Sequence, residues 1–395
     1  MKDYKKLLDN DVKCDCGRVH FVPIKDVDFT FKASNVTDIV KKYISGSELL
    51  VVIDYHTDEQ INNEILKELE GKGFNLTVVR FTDKKLVPDE RAVGAILMHS
   101  VRGTDGILAV GSGTINDLAR FVGSRMEIPV ISIATAPSMD GYAAAGSSLV
   151  VKGAKKTLKA VPVTAIYGDV DVIANAPFEM IQAGYGDIIG KKTSLADWAL
   201  SRVVTGEYWC DDIVKLVEDS TDICIENSKK IAERDIESIK HLIEALVLSG
   251  IAMSMADDTR PASGSEHLIS HYMVMKNIEK GEMIPSHGIT VAFGTLVVSM
   301  LYEFLKENEI FKTQDDSRSV IEAVDKYVPT VEQTKEWLEI IGLPVSPEGY
   351  GVDEAYLEEM ILKAGFIRDR FTIFRYLDKL GILNDAAKYV LAKMF

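Results

Sequence analysis

From Leu49 onward the chain alternates short β-branched apolar runs with amphipathic stretches. Leu49 to Asp54 is an unbroken apolar run ending in an acid, as expected of a strand covered on both faces of a parallel sheet. Helical spacing follows over Glu59–Leu69 and closes at Gly71-Lys-Gly73. The cycle then repeats: strand Asn75–Phe81, helix Glu90–Ser100, strand Gly106–Val110, helix Ile115–Val122, strand Pro129–Ala134. Ser147 to Leu158 reads as a hairpin and Val163–Asp169 as a further short strand. Such alternation predicts a parallel sheet joined by right-handed crossovers. After Asp171 the strand signals cease and helical patterns run to the end, among them a buried helix over Ile289–Phe304. The expected fold is therefore α/β: an N-terminal parallel-sheet domain over 1–171, then an all-helical domain over 172–395.

In sheets of this kind ligands bind at the carboxyl ends of the strands. Gly111-Ser112-Gly113-Thr114-Ile115 lies between a strand end and a helix start, where bare backbone N–H groups and the helix dipole favour a pyrophosphate. A tight turn is the competing reading, since the sixth position is Asn116 and the Gly-x-Gly-x-x-Gly fingerprint is incomplete. Asp54 ends an earlier strand, where an acid can accept from a ribose hydroxyl and repel a 2′-phosphate; a cap or turn role competes. The segment Thr135-Ala136-Pro137-Ser138-Met139-Asp140-Gly141 ends another strand and is built of small residues and turn formers, leaving room for a ligand.

Three of the seven histidines fall between Pro261 and Gly288. Ser263-Gly264-Ser265 reads as a helix entry capped by small side chains. His267 and His271 are one turn apart and share a helix face, and His287 opens the apolar Ile289 helix. These imidazoles can converge on one point, and a carboxylate from elsewhere would complete a three-ligand metal site with an open position. A merely polar helix face is the competing reading. Asp187, after Gly184-Tyr-Gly at the start of an apolar helix, is a candidate carboxylate; an ordinary first-turn acid is the alternative.

The chain has 395 residues, 47% hydrophobic and 27% charged, ordinary for a soluble protein. A net charge of −15 excludes general nucleic-acid binding and disfavours anionic membranes. No signal-like segment or convincing membrane span is read, and four cysteines make no disulfide framework. The cytoplasm is the expected compartment. Cys14-Asp-Cys16-Gly-Arg-Val-His20 could seed a soft-metal site, but its fourth ligand is missing locally, so reduced cysteines near the N-terminus are expected.

Taken together, Gly111-Ser-Gly-Thr-Ile-Asn-Asp117, Thr135-Ala-Pro-Ser-Met-Asp140-Gly, Gly184-Tyr-Gly-Asp187, Gly264-Ser-Glu-His267-Leu-Ile-Ser-His271 and His287-Gly288 resemble the iron-containing alcohol dehydrogenase superfamily, which is related to dehydroquinate synthases. The closer resemblance is to its bacterial sn-glycerol-1-phosphate dehydrogenase branch. The resemblance implies a dinucleotide-binding first domain and a metal- and substrate-binding second one, with NAD (or NADP) and one divalent metal, Zn²⁺, Ni²⁺ or Fe²⁺. It implies Asp187, His267 and His287 as metal ligands, and His271 and Asp140 as substrate contacts. It further implies Asp54, Gly111 to Ile115 and Thr135 to Ser138 as the cofactor site. His271 could instead only orient a ligand. The expected reaction is hydride transfer between dihydroxyacetone phosphate and sn-glycerol 1-phosphate, by a cytoplasmic homodimer in phospholipid metabolism. A glycerol dehydrogenase or a dehydroquinate synthase-like cyclase is the alternative. A phosphorylated three-carbon substrate needs a cation, for which Lys191, Lys192, Lys155 and Lys156 are candidates, with solvated surface charges as the alternative.

Overall fold

A computed structural model of the chain describes residues 4–55, 57, 63–83 and 86–395. Its strands are β1 (Asp11–Lys13), β2 (Val19–Phe21), β3 (Asp26–Asp28), β4 (Glu48–Ile53), β5 (Asn75–Arg80), β6 (Gly106–Gly111), β7 (Val130–Ala134), β8 (Gly146–Val151), β9 (Ala154–Lys159) and β10 (Ala165–Gly168). Its helices include α1 (Val36–Tyr43), α2 (Asn63–Gly71), α3 (Glu90–His99), α4 (Gly113–Met126), α5 (Val170–Ala174), α6 (Phe178–Thr205), α7 (Asp211–Glu226), α8 (Ser228–Ala232), α9 (Ile236–Ala256), α10 (Ser265–Lys280) and α11 (His287–Glu307); shorter ones continue to Met394. Residues 59–62 of the expected Glu59–Leu69 helix lie outside the described residues.

The main sheet runs β3-β10-β7-β6-β4-β5 with every neighbouring pair parallel. Every residue of β6 and β7 is buried. This explains their unbroken apolar sequences, because crossover helices cover both faces. Leu49, Val51 and Ile53 of β4 join Leu108, Val110, Ile131 and Ile133 in one core with Val36, Val40, Ile65 and Leu69 from α1 and α2. Each such side chain contributes about 1.5–3 kcal/mol by leaving water. From β4 the chain goes to β5 on one side, then returns to place β6 on the other. The topological switch point therefore falls between β4 and β6, where open α/β sheets bind ligands.

The described residues divide into two compact units. One takes in residues up to Lys13, Val19–Ile181 and Arg234–Ser254; the other takes in Cys14–Arg18, Gln182–Glu233 and Met255–Phe395. The expected boundary at 171/172 differs in two respects. The first unit reaches Ile181, and it recruits most of α9 from the helical half. Ser249 donates to Asp140 Oδ2 at 2.9 Å and Ser254 to the Ala143 carbonyl at 3.1 Å. A Cβ on Gly250 would stand 2.9 Å from the Asp140 carbonyl oxygen. An apolar helix declares that it is buried, but its pattern does not say against what. α9 and α11 are long and apolar enough to cross a membrane, yet 78% and 83% of their apolar windows are buried inside the protein.

Candidate active site

In the first unit, β4 and β6 deliver the two expected cofactor elements to either side of the switch point. β6 ends at Gly111, Ser112 is the N-cap, and α4 begins at Gly113. The Ser112 side chain makes no cap bond to the first N–H groups of α4. A Cβ on Gly111 would meet Ile115 Cβ at 2.8 Å, an atom no rotamer can move, whereas one on Gly113 would meet the flexible end of Met139 at 2.6 Å. Thr135 donates its N–H to the Gly111 carbonyl at 3.2 Å, which ties the 135–140 segment to the glycine turn. Tyr142 fixes the same segment by donating to the Ala136 carbonyl at 2.8 Å. Asp54 is buried at the end of β4, and its Oδ1 accepts from the Thr57 N–H at 2.9 Å. That bond is a turn contact, so at least one of its oxygens serves the local backbone.

Arg120, which the motif reading passed over, holds this region together. It is fully buried and donates to Asp117 Oδ1 at 2.5 Å, to the Gly146 carbonyl at 2.8 Å and to the Ala144 carbonyl. It thereby fastens the 141–146 loop to α4.

In the second unit, one ligand atom each from Asp187, His267 and His287 lies within 4.8 Å of the others. Small residues make this convergence possible. Gly186 and Gly288 adjoin two of these side chains, and a Cβ on Gly186 would stand 2.4 Å from the Gly288 carbonyl oxygen. A Cβ on Gly294 would stand 2.5 Å from the Glu266 carbonyl oxygen. α6, α10 and α11 therefore pack backbone against backbone where Asp187, His267 and His287 project.

The surrounding hydrogen bonds select which imidazole nitrogens face the centre. His267 Nδ1 contacts Glu266 Oε1 at 2.7 Å, and His287 Nδ1 contacts Ser270 Oγ at 3.2 Å. Both Nε2 atoms are left as ligands, the arrangement that orients histidines around a metal. His267 Nε2 is 3.5 Å from Asp187 Oδ1. Two ligands on a tetrahedral ion with bonds of about 2.1 Å stand about 3.4 Å apart, so the set fits a divalent metal. Glu266 is itself held by the Gly264 N–H at 2.6 Å and Thr193 Oγ at 2.8 Å.

Burial would raise the Asp187 carboxyl, but the Lys191 ammonium and the His267 hydrogen bond outweigh it and hold the group well below the usual carboxylate range. Burial would lower His267, but Asp187 and Glu266 outweigh it and raise the imidazole. Lys191 is fully buried and donates to Asp187 Oδ1 at 2.7 Å and to the Ala262 carbonyl at 3.1 Å. As a phosphate anchor it is therefore set aside: its charge is committed to the Asp187 carboxylate.

The helix entry at 263–265 is built differently from expectation. Gly264 is the N-cap of α10 and no side chain of the entry caps it. The Ser265 N–H is instead satisfied at 2.7 Å by Asp197 from α6, which also accepts from Tyr302 at 2.7 Å and the Ile373 N–H at 2.9 Å. His271 stands on α10 one turn after His267, with ring centroids 6.5 Å apart, and 6.0 Å from the His287 ring. Arg368 donates to His271 Nδ1 at 3.2 Å. A guanidinium cannot accept, so His271 carries its proton on Nε2. Arg368 comes from nearly 100 residues downstream and carries no local signal, which is why the sequence reading missed it.

The region Lys32–Pro177 matches the family model for iron-containing alcohol dehydrogenases. The solved glycerol dehydrogenase from Schizosaccharomyces pombe shares the fold, with a TM-score of 0.66 at 18% identity over 93% of this chain and 90% of that one. The NAD(P)+-linked glycerol-1-phosphate dehydrogenase of Bacillus licheniformis is 31% identical over 94% of this chain and 93% of its own length. Its Bacillus subtilis counterpart is 32% identical over 90% and 91%. The chain belongs to the glycerol-1-phosphate dehydrogenase family within the iron-containing alcohol dehydrogenases. It is an oxidoreductase.

Proposed function

We propose that this enzyme interconverts dihydroxyacetone phosphate and sn-glycerol 1-phosphate, using a divalent metal held by Asp187, His267 and His287 and a nicotinamide cofactor bound at the switch point of the sheet. The convergence of Asp187, His267 and His287, with His271 and Arg368 alongside, carries this reading. The named activity of the Bacillus relatives supports the same substrate. Zn²⁺, Ni²⁺ and Fe²⁺ all suit an Asp/His/His donor set.

When bound, the metal supplies Lewis acidity to the substrate oxygen and the reduced nicotinamide supplies the hydride. The chain does the rest. Glu266 and Ser270 fix the imidazoles of His267 and His287, so no reorganisation is needed during reaction. Reducing the ketone consumes one proton, and His271 Nε2–H is oriented by Arg368 to provide it. Arg368 is the phosphate anchor in this reading, because a guanidinium matches a phosphate with paired N–H donors. Asp54 and the Gly111–Ile115 turn hold the adenosine and pyrophosphate ends of the cofactor, with a lean to NADH. A cytoplasmic location is part of this reading.

The test compares kcat/KM for dihydroxyacetone phosphate and dihydroxyacetone, with NADH and the same metal. A charge-assisted contact of about 1.5–3 kcal/mol predicts that Arg368→Ala shrinks the preference for the phosphorylated ketone by roughly 10- to 150-fold. A wild-type ratio near one would return the enzyme to the glycerol dehydrogenases. Turnover without net NADH oxidation would mark a cyclase.

A further inference from the structure

We propose that Cys14, Cys16, His20 and Cys210 form a second, structural metal centre, a closed tetrahedral site for zinc. The N-terminal hairpin provides three of the four donors. β1 and β2 pair Val12 with His20 and Lys13 with Val19, and the Cys14 N–H donates to the Arg18 carbonyl at 3.2 Å. The turn then needs Gly17 at φ +84°, a conformation that glycine adopts without penalty. In this tight turn the Cys16 N–H points at Cys14 Sγ, 3.5 Å away. Backbone N–H groups directed at a sulfur stabilise a thiolate, the form that binds metal.

The fourth donor comes from the loop after α6. Cys210 is fully buried and is the N-cap of α7, with no side-chain cap bond of its own. Cys14 Sγ and Cys210 Sγ are 3.5 Å apart. A disulfide requires about 2.05 Å, whereas two thiolates on one tetrahedral zinc, with Zn–S bonds of about 2.3 Å, stand about 3.8 Å apart. The four donor atoms all lie within 4.8 Å of one another. Three sulfurs and one imidazole form a soft donor set that selects zinc over magnesium or calcium, and four protein ligands leave no open position for catalysis.

The hairpin has reason to need such a staple. Its strands are three residues each, and Val19 and Phe21 are 58% and 46% exposed, so apolar burial alone cannot hold it. The receiving loop is prepared for it: Trp198 donates to the Tyr208 carbonyl at 2.6 Å, and the Tyr208 hydroxyl lies 3.2 Å from Cys16 Sγ. Glu207 of the same loop binds Arg260 at 2.9 and 2.6 Å, next to the segment that leads into α10.

Cobalt substitution of the full-length reduced protein tests the assignment. The Asp187/His267/His287 centre contains no sulfur, so sulfur-to-cobalt charge-transfer absorption in the near ultraviolet reports on the cysteine site alone. The expected result is an intense band at about one equivalent of Co²⁺ per chain, displaced by Zn²⁺ and lost in Cys16→Ser and Cys210→Ser. A His267→Ala/His287→Ala variant should still purify with about one equivalent of zinc by elemental analysis. Wild-type protein showing no charge-transfer band would overturn the proposal, even if the cysteine variants do not fold. So would a Cys14–Cys210 disulfide in protein loaded with zinc under reducing conditions, or full zinc retention in both serine variants.

Discussion

Gly288→Ala tests how Asp187, His267 and His287 are brought together as the proposed metal ligands. A Cβ at position 288 would stand 1.7 Å from the Ala183 carbonyl oxygen and 2.5 Å from its carbonyl carbon. Both obstacles are backbone, so no rotamer change relieves them. Restoring a contact of 3.0 Å requires α6 and α11 to part by about 1.3 Å at this point. Asp187 and His287 sit beside that contact, on α6 and α11 respectively. Metal–ligand distances tolerate deviations of about 0.2 Å, so the displacement is several times what the centre can absorb. Misplacement on the scale of 1 Å costs about 10²-fold in rate, and overpacking costs about 1–3 kcal/mol in stability. The variant should therefore lose at least about 100-fold in kcat/KM and purify with little metal, while circular dichroism shows a folded chain with a lowered Tm. Gly94→Ala is the control: its added Cβ meets nothing within 4 Å on α3, and relief of glycine's backbone entropy should stabilise by roughly 0.5–1 kcal/mol with unchanged metal content. Full metal content and kcat/KM within about threefold of wild type in Gly288→Ala would refute the claim that this helix contact positions the ligands.

Two further predictions rest on other parts of the structure. If Asp54 reads the ribose as well as bonding Thr57, Asp54→Ala should shift the NADH/NADPH ratio of kcat/KM towards NADPH by about tenfold or more; an unchanged ratio leaves Asp54 as a turn residue only. In the metal-free protein His267 is raised above the ordinary value of about 6.5, so its stabilising charge is fully present below that pH and is lost as pH rises through its higher folded value. Metal requires the neutral imidazole, so uptake near neutral pH should release protons and tighten as pH rises. Calorimetry in buffers of different ionisation enthalpy measures this release, and a heat independent of buffer would contradict it.

The strands were legible because the physics of a two-sided sheet is local: β4, β6 and β7 are covered on both faces, so their apolar runs are unbroken. The glycine turn after β6 was legible for a related reason, since close backbone approach to a ligand favours glycine, whereas the helix contacts at Gly186 and Gly288 emerged only from the packing. His267 and His271 could be placed on one helix face from their spacing alone. Arg120, Glu266, Asp197 and Arg368 were not legible in their roles. Each works through partners distant in the chain or through a backbone group, and a charged residue in a helical stretch looks the same whether it faces water or a buried acceptor. Lys191 makes the point directly. Its spacing from Asp187 put it on the same face, but only burial decided that it neutralises Asp187 instead of meeting a phosphate. The cysteines show the same division. Cys14, Cys16 and His20 advertise donors by type and spacing, yet whether they form a site depends on Cys210, 194 residues beyond Cys16. Local sequence determined which elements form and which chemistries are on offer, because hydrogen-bond period, apolar pattern and glycine's missing Cβ act over a few residues. Tertiary structure alone decided which offers are taken up, because ligand convergence, charge neutralisation and burial depend on which side chains the packed helices carry to the same point.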